Sequence, residues 1–139
     1  MAEFLHGEIT GKVIGAACEV WRVLGYGFLE KVYQNALAVE FKIRSVSVEP
    51  QREMAVNYKG HNVGEYVVDF MVEGKVVVEL KAEKEYNPEH EAQLLNYLKA
   101  TGVRVGLLVN FGQAKCSWQR FVMGSDGEPG NELPGKADG

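Results

Sequence analysis

Cysteine is scarce: Cys18 and Cys116 are the only two in 139 residues. They are too far apart for a paired metal-binding motif and too few for a disulfide framework, so two idle thiols in a reducing compartment are expected. No run of about 18 apolar residues occurs, so no membrane-crossing helix is expected. The opening MAEFLHGEITGK lacks the basic-then-apolar order of a secretory signal, and a cytoplasmic location is the expectation. A basic excess is missing too. Fifteen Lys and Arg stand against nineteen Asp and Glu, giving −4; residues 124–139 hold four of those acids and one lysine, so the remainder is near neutral at −1. That excludes a protein that coats DNA through many phosphate contacts, but not a nucleic-acid enzyme that works with bound cations. Repeats and internal linkers are absent. With 46% hydrophobic and 24% charged residues, the chain has the balance of one globular domain.

Composition shifts only at the end. Residues 124–139, GSDGEPGNELPGKADG, contain five Gly, two Pro and no aromatic residue. Such a segment buries little, so a domain over 1–123 and a flexible tail over 124–139 are expected.

Periodicity assigns the rest. Ile9, Val13, Ala16, Ala17, Val20, Trp21 and Leu24 recur at helical spacing, and Gly25-Tyr26-Gly27 ends that helix. A second helix is predicted from Phe28 to Arg44, with Leu29, Val32, Tyr33, Ala36, Leu37 and Phe41 as its apolar face. The period then becomes two: strands are predicted over 54–58, 65–72 and 75–82. Val76-Val77-Val78 is apolar on both faces, as a central strand covered on both sides would be. Asn87 and Pro88 read as N-cap and first residue of a third helix that stops at Gly102. An apolar strand over 103–110 follows a helical crossover and should run parallel to an earlier strand; one more strand covers 117–123. The fold class is α/β, one mixed sheet flanked by helices in the order ααβββαββ.

Three polar features sit where a simple core would not put them. Glu79 and Lys81, two apart in VVVELKA, point to one face of the central strand; alone, this suits a strand-end ion pair as well as chemistry. Asp69 interrupts YVVDFM, where a bulge or an edge position would also account for it. Gln93 and Tyr97 share a face of the third helix, with His90 one turn earlier, an ordinary polar face if taken alone.

In order, Gly27-x-x-Glu30-x-x-Tyr33, Asp69, Glu79-x-Lys81 and Gln93-x-x-x-Tyr97, with the strings GFLEKVY, VELKA and HEAQLLNYLKATG, resemble the GxxExxY family. That family belongs to the PD-(D/E)XK, restriction-endonuclease-like superfamily of the RecB type. The resemblance runs from about Ile9 to Val122; the departures are Trp21 where members often have His and Tyr26 where they often have Pro. It implies a nuclease that hydrolyses phosphodiester bonds, with DNA the expected substrate and a homodimer or partner protein possible. It implies Mg²⁺ or Mn²⁺ held by Asp69, Glu79, the Leu80 carbonyl and Glu30, an oxygen set suited to a hard cation. Lys81 would orient water or stabilise developing charge, Gln93 would position water or phosphate, and Tyr97 would support it. The rival is a catalytically silent module on the same fold that binds nucleic acid or protein. A purely structural dimerisation module leaves Asp69 and Lys81 unexplained.

Two physical expectations follow. Clustered carboxylates without a metal should raise at least one pKa. Asp69 and Glu79 must also share a face. A two-residue loop at Glu73-Gly74 would place them on opposite faces. A three-residue loop over 72–74 pairs Asp69 with Val77, and this register or another of the same parity keeps them together.

Overall fold

The computed structural model describes residues 5–130 and the backbone of 134–138. Helices α1 (Gly7–Leu24) and α2 (Glu30–Ile43) come first. Strands β1 (Val48–Tyr58), β2 (His61–Val72) and β3 (Val76–Lys81) follow, then α3 (Pro88–Thr101), β4 (Val105–Asn110) and β5 (Lys115–Val122). This is the expected ααβββαββ order in a mixed, restriction-endonuclease-like sheet. A further strand, β6 (Pro134–Asp138), lies at the edge beyond β5.

The sheet separates two cores. Val76, Val78, Leu80, Val105, Leu107 and Val109 face α1 and α2, whereas Val77 and Leu108 face Leu94 and Leu98 of α3. Burial on both faces explains why β3 and β4 read as apolar runs. They are parallel, from Val76 opposite Val105 to Lys81 opposite Asn110, as a crossover through α3 requires. Asn87 caps α3 by accepting from the Glu89 N–H at 2.9 Å, and Gly102 ends it at φ 79°.

Helix α2 departs from the expected face. It begins at Glu30 and buries Tyr33, Leu37 and Phe41, while Leu29 is 79% exposed. Ala36 and Ala38 pack against the same core and Gln34 is buried beside them, so of the expected face Leu29 and Val32 are the exposed members. Tyr33 fixes the entry to the helix: its hydroxyl donates to Gly25 O at 2.6 Å and accepts from Phe28 N–H at 3.2 Å, and its ring stacks on Phe111. Trp21 donates from Nε1 to Gln113 O at 3.0 Å, tying α1 to the loop after β4.

No helix among the described residues is long and apolar enough to cross a membrane. The composition gave no sign of β6. It pairs antiparallel with β5 from Lys115–Asp138 to Gln119–Pro134, and backbone pairing with an edge strand asks for no apolar side chain. Before it, Gly124 N–H donates to Glu128 O and Gly130 N–H to Val122 O, each at 2.6 Å. We therefore propose that residues 124–139 are dispensable for folding. Truncation after Met123 is expected to lower the melting temperature by no more than a few degrees, since backbone bonds at an exposed edge add little net stability. A large drop would show that the segment docks on the fold.

Candidate active site

The β2–β3 turn sets the register. Glu73 and Gly74 take φ of 52° and 68°, and Lys75 N–H closes the turn on Val72 O at 3.0 Å. Lys75 is the extra residue, so the pairs are Val72–Val76, Met71–Val77 and Phe70–Val78. The loop is residues 73–75, one position later than the preferred three-residue reading but of the same parity, so Asp69 and Glu79 come directly opposite each other. The left-handed Glu73 was not anticipated. It sits on an exposed turn, its carboxylate 3.4 Å from Lys12 Nζ.

Asp69 lies where two ladders break. Pairing of β2 with β3 stops at Phe70–Val78, and pairing with β1 skips from Pro50–Phe70 to Arg52–Val68, past Gln51 at φ 54°. The strand also changes face there: Val68 and Met71 pack in the α3 core, Phe70 and Val72 in the α1–α2 core. The strand is thus irregular at Asp69, but its register to β1 is the same on both sides, so this is not an inserted bulge residue.

The carboxylates fill the break crosswise. Asp69 N–H donates to Glu79 Oε1 at 2.8 Å, and Leu80 N–H donates to Asp69 Oδ2 at 2.7 Å. Each acid takes a backbone N–H from the opposite strand where ladder bonds are missing. The Tyr66 hydroxyl donates to Glu79 Oε2, and its ring lies flat against Tyr97, 12° from parallel. Gln93 reaches the Tyr97 hydroxyl from one turn earlier on α3. A line of contacts therefore runs Gln93, Tyr97, Tyr66, Glu79. Tyr66 is the member that sequence reasoning missed, because strict alternation from Asp69 places it on the other face.

The electrostatics follow from burial. Glu79 is 7% exposed; burial first, then the Asp69 charge, push its carboxyl up to about 7. Burial also raises Asp69, opposed by the Leu80 N–H bond and by Lys81 and Lys31. Loss of water around its carboxyl raises Glu30, with Lys81 opposing and Asp69 and Glu83 adding to the rise. The expected rise is therefore present, but desolvation leads and mutual repulsion comes second. Burial, then the Glu79 charge, raises the hydroxyls of Tyr66 and Tyr97.

Lys81 follows Glu79 by two on β3 and lowers the Glu30, Asp69 and Glu79 carboxyls. Among the described residues no carboxylate lies within 4.0 Å of its ammonium, so the simple strand-end ion pair is not what the structure holds. His90 Nε2 lies 2.7 Å from Glu83 Oε2, and both groups bear on Glu30. Sequence gave no signal for Glu83. Asn110 anchors the strand after Lys81: Oδ1 accepts from Glu83 N–H and Gly112 N–H, both at 3.0 Å, and Nδ2 donates to Glu83 O at 2.8 Å. Among the described residues no three His, Cys, Asp or Glu side chains stand close enough together to hold a metal unaided. Asp69 and Glu79 are two such donors, Leu80 could add its carbonyl, and Glu30 faces them from α2.

No curated protein sequence matches the chain. A solved structure, the crystal structure of SSO0001, aligns over 97% of this chain and 79% of that one at 13% identity with a TM-score of 0.46, too distant to support a conclusion. A family model of the PD-(D/E)XK nuclease superfamily matches residues 7–121. That span runs from α1 through β5 and contains Glu30, Asp69, Glu79, Lys81, Gln93 and Tyr97 together, and on it the chain belongs to the PD-(D/E)XK nuclease superfamily.

Proposed function

We propose that the domain is a divalent-metal-dependent nuclease that hydrolyses phosphodiester bonds in DNA. The observation that carries this reading is the crossed pair of Asp69 and Glu79 at the end of a central strand, with Lys81 beside them and unpaired among the described residues. The donors fit Mg²⁺ or Mn²⁺: all are oxygens, and Asp69 Oδ1 remains after Leu80 N–H has taken Oδ2. The cost of ionising buried Glu79 is also what a bound cation would relieve. Asp69, Glu79 and the Leu80 carbonyl would hold the ion, with Glu30 adding a direct or water-bridged contact.

When bound, the ion would neutralise charge on the phosphoryl oxygens. Lys81 supplies an ammonium for the attacking water or for charge developing on phosphorus. Tyr66 and Tyr97 hold Glu79 and Gln93 in place. Gln93 is exposed on α3 and free to meet water or phosphate. DNA cleavage by so small a domain would call for a second copy or a partner protein.

A second reading, a silent nucleic-acid or protein-binding module, has one observation in its favour. Both Glu79 oxygens already have protein donors, Asp69 N–H and the Tyr66 hydroxyl. The two readings separate on purified protein incubated with and without Mg²⁺ or Mn²⁺ against labelled single-stranded, duplex and branched DNA and RNA. Metal-dependent cleavage of DNA is the expected result. Binding without cleavage of any substrate would favour the silent module.

A further inference from the structure

The β1–β2 hairpin outgrows the sheet. Its pairing with β3 ends at Phe70–Val78, whereas β1 and β2 continue together to Tyr58–His61. Met54, Tyr66 and Val68 still pack under α3, but residues 57–65 are all exposed. An exposed two-stranded ribbon with no third strand and no helix over it adds little to the stability of the domain. Its length is nonetheless large: nine residues separate Asp69 from the turn at Gly60, roughly 30 Å at about 3.4 Å per residue.

The tip has a distinct chemistry. Residues 54–64, MAVNYKGHNVG, contain Lys59 and no Asp or Glu, although Glu53 and Glu65 bound the stretch. Lys59 and Gly60 form the two-residue turn at φ 49° and 81°. Both values are left-handed, a geometry for which Asn-Gly is the favoured pair and Lys a poor first residue. The ammonium sits 5.3 Å from the Tyr58 ring centre, so a cation and an aromatic ring are presented together at the end of the arm. Asn57, His61 and Asn62 supply hydrogen-bonding side chains around them.

We propose that this ribbon is a duplex-gripping arm whose tip seats in a groove of the nucleic acid, with Lys59 on a phosphate; the proposal rests on the nuclease reading of the site at its base. A two-stranded ribbon fits the major groove, about 12 Å wide. Within the ribbon, the tip is the part free of the carboxylates that would repel phosphate. At about 3.4 Å per base pair, its reach places the contact about nine base pairs from the phosphate to be cleaved at the Asp69–Glu79 site.

Lys59→Asn is the informative variant, because it removes the charge while improving the turn. It and the triple variant Tyr58→Ser, Lys59→Asn, His61→Ser are compared with the parent, all carrying Asp69→Asn to prevent cleavage. Fluorescence anisotropy with a labelled 30-base-pair duplex and a single strand of the same sequence reads binding across a salt series. Lys59→Asn is expected to weaken duplex binding about fivefold and to reduce the slope of log affinity against log salt by about 1. The triple variant should weaken it further. Single-strand binding and the melting temperature should stay at or above the parent's. Unchanged duplex binding by the triple variant overturns the arm while leaving the nuclease reading standing. So does unchanged duplex binding with an altered oligomeric state, which would assign the tip to a protein contact. A parent that binds neither duplex nor single strand overturns both.

Discussion

Replacing Glu79 by Gln is expected to abolish cleavage and yet to raise the melting temperature of the metal-free domain above pH 7. The carboxyl has a folded pKa of about 7 against an ordinary 4.5. Raised in the folded state, it binds more protons there than in the unfolded chain between those two values. Stability of the metal-free wild type therefore falls as pH rises from about 4.5 to 7 and levels off above. The shift corresponds to a cost on the order of 3 kcal/mol once Glu79 is ionised. Gln escapes the cost and keeps the bonds: its oxygen accepts from Asp69 N–H, and its amide donates to the Tyr66 hydroxyl. The gain over wild type should be near zero at pH 4.5 and reach about 1–3 kcal/mol at pH 8. Asp69→Asn should behave alike, more weakly. Both should lose Mg²⁺ affinity and at least about a hundredfold in cleavage rate, whereas Lys81→Ala should keep the metal and lose the rate. Thermal melts across pH, calorimetric titration with Mg²⁺ and a cleavage assay check the three variants together. A Glu79→Gln domain that melts lower than wild type at pH 8 would make the pair structural.

Gly112→Ala is expected to be among the most destabilising single changes in the chain, at about 3 kcal/mol, and to damage the site as well. An added Cβ would overlap Glu83 N and stand 2.5 Å from Glu83 O and 2.6 Å from Ala82 C. All three are backbone atoms, so no side chain can swing aside. Relief requires moving residues 82–83, where Asn110 holds Glu83 by two hydrogen bonds shortly after Lys81, while a third ties Asn110 to Gly112 itself. Gly106→Ala is the comparison. Its Cβ would meet the ends of Leu94 and Leu98 at 3.2 Å, where rotamers can give way, and a loss of about 1 kcal/mol is expected. Denaturant melts of the two variants give the difference; equal losses would show that the 82–83 segment yields freely.

Much of this was written in local pattern. The switch from a period of 3.6 to a period of 2 after Arg44, the Asn87-Pro88 start of α3 and its Gly102 stop each reflect a local preference that packing did not overrule. Asp69, Glu79 and Lys81 stood out because ionisable groups do not enter apolar strands without a reason. What stayed hidden depended on irregularity or on backbone alone. The first half of β1 contains Pro50 and a left-handed Gln51, which read as loop and are strand only because β2 lies beside them. The face change at Asp69 leaves the apolar spacing of Tyr66, Val68, Phe70 and Val72 looking continuous, and so concealed Tyr66. The pairing of His90 with Glu83 joins a helix to a loop, a contact that spacing along either one does not reveal.

The order of strands across the sheet, β1 to β6, repeats their order along the chain. During synthesis, each new strand can dock on the one just before it, and no gap must be held open for a later arrival. The β1–β2–β3 meander can form as soon as it emerges, and with it the crossed carboxylates. The exception is α1. It precedes the whole sheet in the chain, yet the Trp21 anchor is at Gln113 and β5 is among its packing partners. Its packing on α2 can form early, but the side that meets β5 and the loop after β4 must wait until those segments emerge, and the nascent chain carries that apolar surface until the domain closes.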